Sequence, residues 1–321
     1  MKHVFVFDPK AFYGQQWMMD NILDSIGQFF RTQEAPDFSI QFSRYRRNAI
    51  TIIQDEAEKA KEDDIIRIYA IGGEEILFDC LNGVVHFPNM QLAAVPYGEF
   101  SNFLRIFGET NVDAFKDIAS LFNGEAIQTD VIKWGVNYAL NSCYIGMNSA
   151  ISKRIKDLKS SMNKGSFIVF SKLSSYFNTL FGAFNKNVAA REYRITIDDT
   201  DYSGQYCLIH IANTPYHMGK MTGISQAMPD DGLLDIALIK SSHPMRMLSS
   251  MGIYSKGRLP KNCVAVRGKE ISVQTTGQMW IQLDNEYIQD TNITMSVVDH
   301  AVQMVTVNNL SYPHWLRHFS T

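Results

Sequence analysis

Over its first 128 residues the chain alternates β-rich apolar runs with stretches of helical period, and this alternation constrains the fold more than any other feature. "HVFVF" (3–7), "FSIQFS" (38–43), "IIRIYAIG" (65–72) and "QLAAVPYG" (91–98) read as strands. Between them, 15–30 carries Trp17, Met18, Ile22, Ile26 and Phe29 at helical spacing, and 48–62 and 74–84 read as two further helices. "FSNFLRIFG" (100–108) predicts a fourth, closed by Gly108. Strands separated by helices of this length form a parallel sheet covered on both faces. Ligands of such sheets sit at the carboxyl ends of the strands. That rule puts Gly72-Gly73 and the turn Pro96-Tyr97-Gly98 on one rim.

The pattern changes near residue 130, where most segments read as strands: 131–146, 192–197, 205–213, 233–240, 263–273 and 279–283. One helix interrupts them, with apolar residues at 173, 176, 177, 180, 181 and 184. Its stripe reads as core, or as a lipid entrance in which Phe177, Phe181 and Phe184 receive acyl chains. The expected architecture is an α/β domain over 1–128, a parallel sheet with flanking helices, followed by a mostly β sandwich over 129–300. Segment 301–321 is expected to return to the first domain. The cleft between the domains is the expected ligand site.

A net charge of -3 and a pI near 6.2 exclude the basic footprint of a nucleic-acid binder. The cluster Arg44, Arg46, Arg47 reads as the solvated start of a helix. "MKHVFVFDPK" lacks the layout of a signal peptide, and no apolar run approaches the roughly 20 residues of a membrane span. Cys80, Cys143, Cys207 and Cys263 lie far apart, with no CxxC pair. Reduced thiols in a cytoplasmic protein are the expectation.

A glycine pair at a strand end lets backbone N–H groups approach an anion, helped by the positive end of the next helix. A plain tight turn reads the same way. In "MPDDGLLDIALIK" (228–240), Asp230 and Asp231 before Gly232 suit a hard cation such as Mg²⁺, or a simple turn. Taken in order, however, the segments are more specific. "GGEEILFDCLNGVV" is similar to G-G-D-G-T followed by N-G, and "PYGEFSNFLR" to P-x-G-T-x-N-D-F-A-R. "NSCYIGMNSAISKRIK" (141–156), the 210–240 segment ending in P-D-D-G-L-L-D, and "IQLDNEYI" (281–288), similar to L-D-G-E, follow. Over nearly its whole length the chain resembles the lipid kinase family of bacterial diacylglycerol kinases and, more distantly, sphingosine kinases and NAD kinases.

The resemblance implies an NAD kinase-like α/β domain joined to a β-sandwich, with ATP and Mg²⁺ in the cleft. It implies transfer of the γ-phosphate to a lipid alcohol, at a membrane surface to which a cytoplasmic protein binds peripherally. Gly72, Gly73, Glu74, Glu75, Pro96, Gly98 and Pro9 map to nucleotide-binding positions. Glu286 maps to the proton acceptor, with Asp284 beside it, and Asp231 with the backbone of Leu233 maps to a structural Mg²⁺ site. His217, in "NTPYHMG", is a further candidate contact, whereas His210 reads as interior.

The chain departs from the pattern in its loops. The Asp, third Gly and Thr of G-G-D-G-T become Glu74, Glu75 and Ile76, and the second loop reads Glu99-Phe100-Ser101-Asn102. The first loop, "DPKAFYG", keeps Pro9 and Gly14. Two unit charges about 4 Å apart repel by roughly 4 kcal/mol at an effective dielectric near 20. A divalent ion between Glu74 or Glu75 and the phosphates would reverse that sign. The sequence leaves open an active lipid kinase, a catalytically silent lipid- or ligand-binding protein of the same fold, and a kinase for a soluble alcohol.

Overall fold

The computed structural model describes residues 1–33, 37–61, 64–98, 101–146, 153, 191–217, 220–221 and 224–313. In the first half, β1 (Lys2–Phe7), β2 (Phe38–Phe42), β3 (Ile66–Gly72) and β4 (Met90–Pro96) pair in parallel in the order β2-β1-β3-β4. Every residue of β3 is buried, as a central strand covered on both faces requires. The flanking helices are α1 (Gln16–Arg31), α2 (Asn48–Lys59), α3 (Glu74–Val84) and the short α4 (Ile118–Phe122). In α1 the buried stripe is Met19, Ile22, Ile26 and Phe30, whereas Trp17, expected in that stripe, is 61% exposed. The described part of the segment expected as a fourth helix, 101–108, is not an α-helix. It contributes a 3-10 helix, Phe103–Phe107, and Gly108 at φ 102° separates that from a second, Glu109–Lys116.

The second half contains β5 (Ala126–Trp134), β6 (Asn137–Ala139), β7 (Ser142–Gly146), β8 (Arg191–Ile197), β9 (Thr200–Asp201) and β10 (Gly204–Ala212). The small hairpin of β11 (Tyr216–His217) and β12 (Lys220–Met221) follows, then β13 (Leu234–Lys240) and α5 (Pro244–Tyr254). Last come β14 (Cys263–Gly268), β15 (Glu270–Leu283) and β16 (Glu286–Val305). These strands pair antiparallel in the order β14-β13-β10-β7-β15-β16, and β5 adds to β16. The run expected over 131–146 is three strands, the first two separated by a turn at Gly135 with φ 57°.

The two halves share one sheet. After pairing with β15 and β5, β16 runs parallel to β4 through Gln303↔Gln91 and Met304↔Leu92. Val302, Met304, Val305, Val307 and Tyr312 complete the apolar core of the first half. A second core lies within the β half and includes Ile145, Ile195, Ile236 and Ile281. His210 is fully buried, stacks on Tyr144 at 4.0 Å and shares a 2.5 Å hydrogen bond with the Tyr254 hydroxyl. All four cysteines are free, and among the described residues no helix is long and apolar enough to cross a membrane.

Candidate functional site

The carboxyl ends of β1, β2 and β3 meet the β15–β16 turn at a groove of about 380 Å³. Its acidic lining is Asp8, Glu75, Asp79 and Glu286, and its basic lining is Lys10, Arg46 and Lys153. Asp8 caps the 3-10 turn that Pro9 opens, accepting from Lys10 N at 3.0 Å. Burial raises its pKa above the usual carboxylate value.

Gly72 adopts φ 152°, and a Cβ there would lie 2.9 Å from Ile76 Cγ2 and 3.0 Å from Asp8 Cβ. Only glycine fits that bend without displacement. The next turn locks onto it: Tyr97 N donates to Gly72 O at 2.9 Å, and a Cβ on Gly98 would fall 2.2 Å from Gly73 Cα. Pro96 and Gly98 therefore support the glycine turn from behind and do not line the groove. The pair Asn82-Gly83 is structural as well. The Asn82 side chain joins α3 to β6, donating to Tyr138 O and accepting from Tyr138 N, and Gly83 lets α2 approach through Ile53.

The two glutamates of the loop do not both face the groove, contrary to the sequence expectation. Glu75 is exposed and lines it, with Asn285 Nδ2 3.4 Å from its Oε1. Glu74 turns inward. Its Oε1 accepts from Asn102 N at 2.8 Å and its Oε2 from Asn141 Nδ2 at 3.4 Å. Burial, and then the neighbouring Asp284, push its pKa up to about 8, so this carboxyl is mainly protonated at neutral pH. One of the two anticipated repulsions is thereby removed.

Asp284 does not face the groove either. At φ 47° it closes the β15–β16 turn, and its carboxylate accepts from Leu140 N (2.8 Å), Asn141 N (3.0 Å) and Ser142 N (2.9 Å). Burial pushes its pKa up to about 6, against the lowering effect of those three donors. It is a fastening between β7 and the turn that carries Glu286. Glu286 itself reaches the groove and is ion-paired with Arg46 from the β2–α2 turn; its side chain is 11% exposed and that of Arg46 67%. Arg47 holds the turn in place. At φ 67° its N donates to Asp79 Oδ2 at 2.7 Å, its guanidinium donates to Asn137 Oδ1 at 2.8 Å, and it stacks over Phe78.

Asp231 lies away from this groove. Its Oδ1 accepts from Leu233 N at 3.1 Å and its Oδ2 pairs with Arg267, which also reaches Asp235 at 3.2 Å. Here a guanidinium holds the carboxylate and the Leu233 N–H turns toward it, so the pair is engaged within the protein. No step is drawn through a metal ion there. The adjoining Gly232 N donates to the buried Asp130 at 2.7 Å.

Arg46, Lys10, Lys153 and Asp79 escaped the sequence reading. The first two follow the carboxyl ends of β2 and β1, so the rim rule alone selects them. In the sequence Arg46 reads as part of a solvated helix start, whereas in the fold it reaches the groove. Glu99, Phe100, the helix over 173–184 and the side chain of His217 lie outside the described residues.

Comparison with known proteins agrees with this architecture. Residues 2–134 match the diacylglycerol kinase catalytic domain, and residues 141–306 the YegS C-terminal NAD kinase beta sandwich-like domain. A Staphylococcus aureus (strain MSSA476) protein named "putative lipid kinase" is 26% identical over 310 residues, which cover 93% of this chain and 97% of that protein. A crystal structure from Bacillus anthracis str. Sterne titled as a "putative diacylglycerol kinase" superposes with TM-score 0.73 at 22% identity, covering 97% of this chain and 98% of that one. A second from the same organism, titled as a diacylglycerol kinase, gives 0.68 at 20% identity over the same shares. With its two halves matched in order to the two domains of that architecture, the chain belongs to the diacylglycerol kinase family of lipid kinases.

Proposed function

We propose that this chain is a phosphotransferase that moves the γ-phosphoryl group of MgATP to the hydroxyl of a diacylglycerol-type lipid. One observation carries the reading: a carboxylate, Glu286, stands in the same groove as Lys10, Arg46 and Lys153, and the groove residues Asp8 and Ile76 pack against the glycine turn at Gly72. The three cations neutralise charge on the phosphates, and the amino end of α3 adds its positive dipole. A magnesium ion accompanying the nucleotide would supply further neutralisation, and Glu75, which lines the groove, would help to hold it. Glu286 accepts the hydroxyl proton as the lipid oxygen bonds to the γ-phosphorus. The bond from that phosphorus to the β,γ-bridging oxygen breaks, its electron pair leaves with ADP, and the proton passes from Glu286 to solvent.

Incubation with γ-labelled ATP, Mg²⁺ and vesicles containing diacylglycerol tests this. Labelled lipid phosphate is the expected product, and Glu286→Gln is expected to lower kcat by about 10²-fold or more without weakening ATP binding. Unchanged turnover in that variant removes Glu286 from the role. A second reading, a silent binding protein, is favoured by Glu75, an exposed carboxylate at a glycine position of the family pattern. ATP binding without transfer to any lipid alcohol in the panel is its signature.

A further inference from the structure

Arg46 and Glu286 are 240 positions apart and belong to different halves, yet each is the other's partner across the groove. Among the described residues Arg46 has no other hydrogen bond, whereas the adjacent Arg47 is pinned by Asp79, Asn137 and Phe78. The turn is thus rigid at Arg47 and holds a long, largely exposed cation over the groove. An ion pair with one partner in solvent is weak and screened by salt, so it yields to a better partner. A guanidinium matches phosphate oxygens in a planar fork, and a phosphate group brings more charge than one carboxylate.

We propose that Arg46 is the phosphate-binding arm of the groove and Glu286 its resting counter-ion, so that a phosphate chain entering the groove draws the guanidinium away and frees the carboxylate. The proposal rests on the reading of the groove as a nucleotide site and adds a residue and an order of events to it. The phosphates arrive first, and the carboxylate is released from its ion pair only then. Lys10 and Lys153 contribute charge, but neither is paired with Glu286.

Calorimetric titration with MgATP and, separately, with inorganic tripolyphosphate tests the exchange on wild type, Arg46→Ala, Arg46→Lys, Glu286→Gln and the Arg46→Ala/Glu286→Gln double variant. Thermal melting verifies that each is folded. Arg46→Ala is expected to weaken both ligands about tenfold, with partial recovery in Arg46→Lys. Glu286→Gln is expected to tighten both roughly threefold or more, and most of that gain disappears when Arg46 is absent. Unaltered tripolyphosphate binding by Arg46→Ala, or an equal gain in both backgrounds, overturns the proposal even where ATP is turned over and the kinase reading stands. Arg46-dependent binding of tripolyphosphate without ATP binding upholds the arm and removes the kinase reading. No binding of either ligand to wild type removes both.

Discussion

At Glu74 the carboxyl group takes hydrogen bonds from both halves of the molecule, from Asn102 N and Asn141 Nδ2, with Asp284 close by and Arg105 exerting a weaker, opposing pull. Its folded pKa of about 8 lies above the 4.5 of an unstructured glutamate. The folded state therefore binds the extra proton between those values, and stability falls as pH rises through that window. Glu74→Gln keeps a neutral group of the same size. At pH 8.5 it is expected to be more stable than wild type by about 1 kcal/mol or more, a Tm roughly 2 °C higher, with little difference at pH 5. Thermal melts at both pH values measure this, and a pH-independent difference contradicts it. Gly98 makes a steric prediction: Gly98→Ala forces its turn off Gly73 and is expected to cost about 1–3 kcal/mol in urea unfolding. The Glu74 behaviour was not readable from G-G-E-E, because charge was legible in the letters but the direction of each side chain was not. The close approach of Gly98 to Gly73 joins two turns that are distant in sequence.

Among the elements, those with an unbroken period were legible and those with a broken one were not. The four parallel strands and α1 to α3 follow from alternation, since each strand is a short apolar run between helical stretches. β16 went unread because polar residues such as Asp290, Asn292 and Asp299 interrupt it, and a register shift between Val298 and Val302 breaks its alternation. α5 opens on Pro244 after His243 and buries only Met247, Ser250 and Tyr254, a sparse stripe. The β15–β16 turn was legible as chemistry but not as mechanics. The L-D-N-E letters pointed to two acids in one site, whereas the turn aims Glu286 at the groove and spends Asp284 on three backbone N–H groups. Asp284→Ala is expected to destabilise the fold by about 2–3 kcal/mol, with Asp284→Asn closer to wild type, measured by denaturant melts. Because asparagine adopts the left-handed backbone of this residue as readily as aspartate, equal loss in both variants would assign the whole effect to the charged carboxylate acceptor.

For the molecule as a whole, the decisive element is the strand that begins at Glu286 and ends beside β4. Since Val302, Met304 and Val305 belong to the core of the first half, that half is incomplete without the end of the chain. Unfolding is expected to be one cooperative transition: far-ultraviolet dichroism and the intrinsic fluorescence of the four tryptophans, which are spread over both halves, should share a single midpoint. Two separated midpoints would show that the halves melt independently. The same thread limits how the groove moves. A jaw opens about a free hinge, but here one wall is sewn to the other by hydrogen-bonded backbone, with slack where the register slips between Val298 and Val302. A phosphate guest of the proposed site would therefore be admitted by single side chains at the lips, such as the exposed Arg46, and not by a swing of the two halves.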